Sequence, residues 1–300
     1  MKIALDAVGG DHGLAPNIEG ALQAANAFGT KVILGGPEQQ LRADLSSRGI
    51  AGDRFEVVDA SQIVGMDEEP AAACRAKPFS SIMICAELVA QGKAVGFVSA
   101  GNSGATMVAA LWHLKRVPGV LRPAIAVPIP TPKGTTVLLD AGANVDCKPW
   151  HLVQFAQMGT LLAQHGYGIK APTVGVLTIG EEEGKGNDLV KESFPLLKAE
   201  VPGFKGCVEG RDVPAGNVDV VVCDGFVGNV LIKTMEGTAK AMMGLLKAEL
   251  MDSWRHRLPA LFLRGPFNRL KKKMSYDEYG GAPLVGVRGS VMVCHGSSNA

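Results

Sequence analysis

Short, almost wholly apolar runs alternate with stretches of helical periodicity along most of this chain. Strand-like runs occupy Ile3 to Val8, Lys31 to Gly35, Phe55 to Ala60, Ala94 to Ala100, Ile125 to Ile129, Thr136 to Ala141, Val174 to Ile179, Asp219 to Cys223 and Val291 to Cys294. Between most of them the apolar positions recur at helical spacing: Pro16 to Phe28, Glu38 to Ser47, Pro70 to Gln91, Ser103 to Leu114, Trp150 to Gln164, Asp188 to Glu200 and Val230 to Leu250. Such alternation implies βαβ crossovers and strands buried on both faces. The expected fold is therefore an α/β protein, a three-layer α/β/α sandwich around a mainly parallel sheet. The short runs Val285 to Val287 and Ser290 to Val293, separated by Arg288 and Gly289, predict a hairpin at a sheet edge. The Pro-rich stretch Pro118 to Pro132 reads as a connection between two halves. One α/β/α domain over residues 1–300 is expected, with a protruding basic and aromatic segment at 252–275.

Five of the strand-like runs break into turns rich in Gly, Asn and Ser before a helical pattern or the chain end: GNSGA from Gly101, DAGANVDC from Asp140, IGEEEGKGND from Ile179, DGFVGN from Asp224 and HGSSNA from His295. In a parallel sheet these turns fall at the carboxyl ends of the strands, where helix N-termini offer free N–H groups and partial positive charge. Each turn also carries an asparagine, namely Asn102, Asn144, Asn187, Asn229 or Asn299. One such loop is compatible with plain turn chemistry, whereas five on one sheet edge point to an anion site.

Composition narrows the partners. A hydrophobic share of 47%, a charged share of 20% and a net charge of +1 describe a globular enzyme with no global attraction to nucleic acid, so none is expected as a partner. The charged and polar residues interrupting the apolar runs leave no spanning helix, and Asp6 interrupts the first run, so no signal peptide is expected. Six cysteines without a CxxC pair read as reduced thiols of a cytosolic protein. The segment Trp254 to Lys273, WRHRLPALFLRGPFNRLKKK, departs from the rest: it holds seven Lys or Arg and no acid, interleaved with Trp254, Leu261, Phe262, Leu263 and Phe267 and closed by Lys271, Lys272 and Lys273. It fits an interfacial membrane element or a dock for an acidic protein; a basic face packed on the core is the plainer alternative.

Several chemistries can be tested on spacing alone. GEEEGKG from Gly180 is one residue short of a phosphate-binding P-loop, and Gly186 replaces its Ser/Thr, while no GxGxxG follows a strand. No HExxH motif or Cys/His cluster suggests a metal, and Glu181, Glu182 and Glu183 are too close in sequence to converge on one ion. Gly101 to Ala105 is one residue away from a nucleophile elbow, and Ser103, Asp224 and His295 follow the chain order of α/β-hydrolases. Ser103 serves equally well as a helix cap. Lys185, between glycines, is free to reach a phosphate.

Taken together, LDAVGGDHGLAPN, SAGNSGA, DAGANVDC, TIGEEEGKGNDL, CDGFVGNVLIKTMEG, DEYGGAPLVGVRG and HGSSNA resemble the PlsX-type phosphate acyltransferases of bacterial phospholipid synthesis, in order and over the whole chain. Val8 and Val227 depart from that pattern, where Met and Thr are usual. The resemblance implies a fold similar to phosphotransacetylases and isopropylmalate dehydrogenases, a homodimer, and a further helix past Ala300. It implies transfer of a fatty acyl group from acyl carrier protein to inorganic phosphate, without cofactor or metal. The acyl phosphate would feed a membrane glycerol-phosphate acyltransferase from a cytoplasmic enzyme resting on the inner face of the cell membrane. Phosphate is already a nucleophile, so the protein need only hold it beside a thioester and stabilise the oxyanion. On this resemblance and the loop chemistry, Lys185 binds phosphate, with Asn187, Asn229 and the amides near Gly228 as co-ligands or oxyanion donors. His295 protonates the leaving thiolate, and Asn102, Ser103, Asn144, Asp224 and Gly225 contact substrate. Asp6, Asp11 and His12 order the loops.

Overall fold

The computed structural model describes residues 1–50, 54–251, 265–267 and 280–298, and the chain divides into two compact units, Met1–Ile125 with Gly281–Ala300, and Ala126–Gly280. The first unit contains β1 (Lys2–Asp6), α1 (Leu14–Phe28), β2 (Lys31–Gly36), α2 (Glu38–Ser47), β3 (Phe55–Asp59), α3 (Pro70–Ala76), α4 (Ser81–Ala90), β4 (Gly96–Ser99) and α5 (Ser103–His113). The strand β5 (Ala124–Thr131) leads from this unit into the second, so the Pro-rich connection is itself a strand over most of its length. The second unit continues with β6 (Gly134–Leu139), α6 (Pro149–Tyr167), β7 (Val174–Thr178), α7 (Asp188–Glu200), β8 (Phe204–Glu209), α8 (Asp212–Ala215), β9 (Val220–Val222) and α9 (Gly225–Met251). The chain then returns to the first unit as β10 (Ala282–Val285) and β11 (Ser290–Val293).

Strands of the first unit follow the order β3-β2-β1-β4-β11-β10. The first five are parallel, and β10 runs antiparallel to β11, with Ala282 opposite Val293. Alternation along β2 places Val32 and Leu34 against Ile18, Ala21, Leu41 and Leu45 of α1 and α2, while Gly35 faces Cys85 of α4 on the other side. In the second unit the order is β5-β6-β9-β7-β8, parallel except for the antiparallel β5–β6 pair. Leu138, Leu177, Val208 and Val221 form a core with Leu231 and Met235 of α9. Gly159 of α6 lies against Leu139 and Val220 on the opposite face. Each unit is thus a sheet between helical layers, as the strands' continuous apolar runs require.

Several elements differ from the sequence reading. The hairpin expected at a sheet edge is internal: β10 spans Ala282–Val285, not Val285 to Val287, and pairs with β5 as well as β11, while β11 also pairs with β4. The short helix α8 adds a turn between β8 and β9. The single helix expected over Pro70 to Gln91 is two, because Pro78 follows the end of α3 at Ala76 and Ser80 opens α4. Helix α9 starts at Gly225 instead of Val230, since Asp224 Oδ1 accepts from Val227 N at 2.9 Å and caps the chain immediately after β9. The edge strand β8 was not foreseen, its polar Lys205 and Glu209 masking the β pattern.

Candidate functional site

All the turns singled out in the sequence and described here lie at the carboxyl ends of parallel strands: Gly101–Ser103 after β4 and His295–Ser298 after β11 in the first unit, and Asp140–Cys147 after β6, Ile179–Asp188 after β7 and Asp224–Asn229 after β9 in the second. Asn299 lies outside the described residues, as do Trp254, Leu261, Phe262, Leu263, Lys271, Lys272 and Lys273; Phe267 is described and half-buried.

In the first unit the loops converge on Asp6, which ends β1 and is fully buried. Ser99 Oγ donates to Asp6 Oδ2 at 2.7 Å and accepts from Gly101 N at 3.0 Å, while Oδ1 has no hydrogen-bond partner. Burial raises the Asp6 carboxyl above its usual range, against the opposing pull of the Ser81 and Ser99 hydroxyls and the nearby backbone amides. Asn102 is buried and wholly engaged: Oδ1 accepts from Ala105 N at 3.0 Å to cap α5, and Nδ2 donates to the carbonyls of Gly65, Met66 and Glu68 at 3.3, 3.2 and 3.0 Å. Its side chain therefore holds the 65–68 loop, while the exposed Ser103 opens α5 beside it. Asp11 N donates to Gly296 O at 2.8 Å, which ties the opening loop to the last one. His295 Nδ1 is held by Ser297, with Oγ at 2.8 Å and the backbone N donating at 3.2 Å.

In the second unit Asp140, also fully buried, organises the cluster. Its carboxylate accepts from Ala143 N at 3.1 Å, Asn144 N at 2.7 Å and Asn144 Nδ2 at 2.9 Å, and Asn144 O accepts from Gly225 N at 2.7 Å. Gly225 and Gly228 are small by necessity: a Cβ on Gly225 would lie 2.8 Å from Asn144 O, and one on Gly228 would collide with the Asp140 carbonyl. The N-terminus of the 27-residue α9 is thereby pressed onto the Asp140 loop, with exposed Asn229 beside Gly142. On the loop after neighbouring β7, Asn187 Oδ1 caps α7 through Val190 N at 3.0 Å, and Lys185 is exposed. The glutamates there are drawn into surface ion pairs, Glu181 with Arg211 at 3.2 Å and Glu183 with Lys198 at 3.1 Å.

The predicted site residues thus fall into two kinds. Asn102, Asn144 and Asp224 spend side-chain atoms on caps and loop closure, and Gly225 and Gly228 permit close packing. Lys185 Nζ, Asn187 Nδ2, Asn229 Nδ2 and Ser103 Oγ make no hydrogen bond among the described residues. Asp6, Ser99 and Asp140 emerge as organisers; for Ser99 and Asp140 the available signal was a polar residue ending an apolar strand at a Gly-rich turn. Neighbouring thiols are poor nucleophiles, because burial holds Cys223 well above the usual thiol range and pushes Cys294 up to about 11.

The fold is that of known phosphotransacetylases. The chain is similar to the EutD phosphotransacetylase of Staphylococcus aureus at a TM-score of 0.61 and 17% identity, covering 100% of this chain and 89% of that one. A phosphotransacetylase from Streptococcus pyogenes matches at 0.63 and 18%, over 99% and 89%. In sequence the chain is 51% identical to the phosphate acyltransferase of Elusimicrobium minutum over all of this chain and 88% of that protein, and 48% identical to that of Trichlorobacter lovleyi over 100% and 87%. Residues 1–300 match the family described as fatty acid synthesis protein, and the chain belongs to that family.

Proposed function

We propose that this chain moves a fatty acyl group from the thioester of acyl carrier protein to inorganic phosphate, with phosphate held at the loops after β6, β7 and β9. Family membership makes the chain a phosphate acyltransferase of fatty acid and phospholipid synthesis; the carrier, the site and the assembly are the parts proposed. The observation that carries the site is the pairing of an exposed cation, Lys185, and exposed amides, Asn187 and Asn229, on loops of adjacent parallel strands beside the N-terminus of α9. These groups are not committed inside the protein, and they suit an oxyanion.

A phosphate oxygen attacks the thioester carbonyl carbon, the C–S bond breaks, and the thiolate leaves with a proton. Amide donors stabilise the tetrahedral oxyanion. We assign His295, its ring oriented by Ser297, as the proton donor to the thiolate. Helix α9 exposes Met242, Leu245 and Leu246 at 63%, 69% and 39%, the apolar face we assign to a second copy of the chain. No helix among the described residues is long and apolar enough to cross a membrane. We assign the segment Trp254 to Lys273 to attachment at the inner face of the cell membrane, where the labile product passes to a membrane glycerol-phosphate acyltransferase.

The test is incubation with acyl carrier protein thioesters and with coenzyme A thioesters, with and without phosphate, trapping acyl phosphate with hydroxylamine. Phosphate-dependent product from the carrier thioester is expected. Phosphate-independent hydrolysis with an acyl group trapped on Ser103 would replace this mechanism by a serine one. Lys185→Ala removes a charge-assisted phosphate contact of about 1.5 to 3 kcal/mol, and so should raise the KM for phosphate or lower turnover by roughly 10- to 150-fold. Unchanged phosphate kinetics would remove Lys185 from the site.

A further inference from the structure

The far end of α5 carries a patch that the catalytic reading leaves unused. From Ser103 the helix runs 11 residues, about 16 Å, so its last turn lies at the sheet edge opposite the loops. There Lys115 adopts a left-handed φ of 66° and turns the chain into an open cavity of about 430 Å³ lined by Leu111, Val117 and Val120 together with Lys115 and Arg116. Two backbone hydrogen bonds fix this turn to the β10–β11 connection: Val117 N to Gly286 O at 3.0 Å and Arg288 N to Lys115 O at 3.1 Å. Arg116 Nη1 donates to Leu121 O, and Arg122 is the next residue in the chain.

Lys115, Arg116, Arg122 and Arg288 are all exposed, and among the described residues none has a carboxylate partner. By contrast Lys2, Arg48 and Lys77 are each ion-paired, at 2.6 Å. Leu111 to Arg122 contains no acid, and Glu87, the acid whose charge reaches His113, is engaged by Gln91 Nε2 at 2.7 Å. In a chain of net charge +1 this is a local excess. Trp112 and Val117, 38% and 39% exposed, lie within the same segment.

We infer that this patch docks an acidic protein surface that inserts an apolar side chain into the cavity, and that its occupant is the carrier protein bringing the acyl thioester. Exposed cations at and beside a concavity that also offers Leu111, Val117 and Val120 match a negatively charged convex partner, whereas a bilayer is gripped by apolar side chains that project outward. The identity of the occupant rests on the function proposed above.

The experiment compares full-length protein with the triple variant Lys115→Glu, Arg122→Glu, Arg288→Glu and with Arg122→Glu alone. Carrier-protein binding is measured calorimetrically at low and high salt, steady-state kinetics on the carrier thioester and on phosphate, and flotation with anionic vesicles. The triple variant should bind carrier protein at least tenfold more weakly and lose the salt dependence seen in the wild type, and the single variant should show a smaller loss in the same direction. Turnover at saturating carrier, the KM for phosphate and vesicle flotation should not change. Wild-type carrier affinity in either variant, or lost flotation with carrier affinity intact, overturns the dock. If instead the wild type binds carrier through the patch yet forms no acyl phosphate, the functional reading fails and the dock stands.

Discussion

Asp6 and Asp140 are both fully buried aspartates ending or directly following a parallel strand, yet their surroundings treat the carboxylate in opposite ways. Asp140 receives Ala143 N, Asn144 N and Asn144 Nδ2, and the loop it shapes is a template for the start of α9. Asp6 receives the Ser99 hydroxyl on Oδ2 and leaves Oδ1 unpartnered, so that burial raises its carboxyl. In the second unit, charge is matched by donors and holds the loop against the start of α9. In the first, the carboxylate is under-compensated and its main effect is to space the loops around Gly9 and Gly101, where a Cβ would crowd Oδ2. The same residue type at the same topological position thus does different work: three N–H groups bond the Asp140 carboxylate, whereas at Asp6 burial outweighs the Ser81 and Ser99 hydroxyls and the Val8 and Gly9 amides.

The largest effect that would sharpen this contrast is Gly228→Ala. The added methyl strikes the backbone carbonyl of Asp140, which has no side-chain freedom to yield, so a loss of about 3 kcal/mol or more is expected in urea unfolding, with loss of turnover. An alanine variant of wild-type stability would mean that α9 does not depend on that close approach. Next comes Asp140→Ala, which strips the acceptor from three donors and should cost about 2 to 3 kcal/mol. The KM for phosphate should rise with it, as Asn229 loses its packing on the Gly142 loop.

The smallest effect is expected at the other aspartate. Asp6→Asn keeps the shape and removes a poorly compensated buried charge, so stability at pH 7 should stay within about 1 kcal/mol of the wild type. Because the folded-state carboxyl of Asp6 titrates above its unfolded value, the folded protein favours the protonated form. That contribution is fully present below the unfolded value and is lost as pH rises through the folded one. The wild type should therefore gain on Asp6→Asn as pH falls from neutral toward the ordinary carboxylate range, read as converging or crossing melting curves. If Asp6→Asn costs as much as Asp140→Ala at neutral pH, the two carboxylates play the same role and the comparison fails.

Local chemistry made much of the molecule legible. Glu38–Ser47 and Asp188–Glu200 are helices with the bounds that their apolar spacing indicates, and the strands fall where short apolar runs meet Gly-rich turns. That was enough to put the described loops at the carboxyl ends of the strands. The break at Pro78 is hidden in the sequence because apolar spacing continues on both sides of it, and β8 is hidden because an edge strand with polar positions has no strong period of its own.

The sequence by itself determined the alternation of strands and helices, the sheet class and the Gly-rich turns that follow the strands, since periodicity and turn chemistry act over a few neighbouring residues. Only the tertiary structure decided which polar side chains are spent inside the protein. Asn102 and Asn187 both follow strands in Gly-rich turns, but Asn102 meets three carbonyls from the 65–68 loop, and Asn187 keeps its amide nitrogen exposed on the surface. The difference comes from what another part of the chain brings alongside, and long-range contact of that kind has no signature in the residues next door.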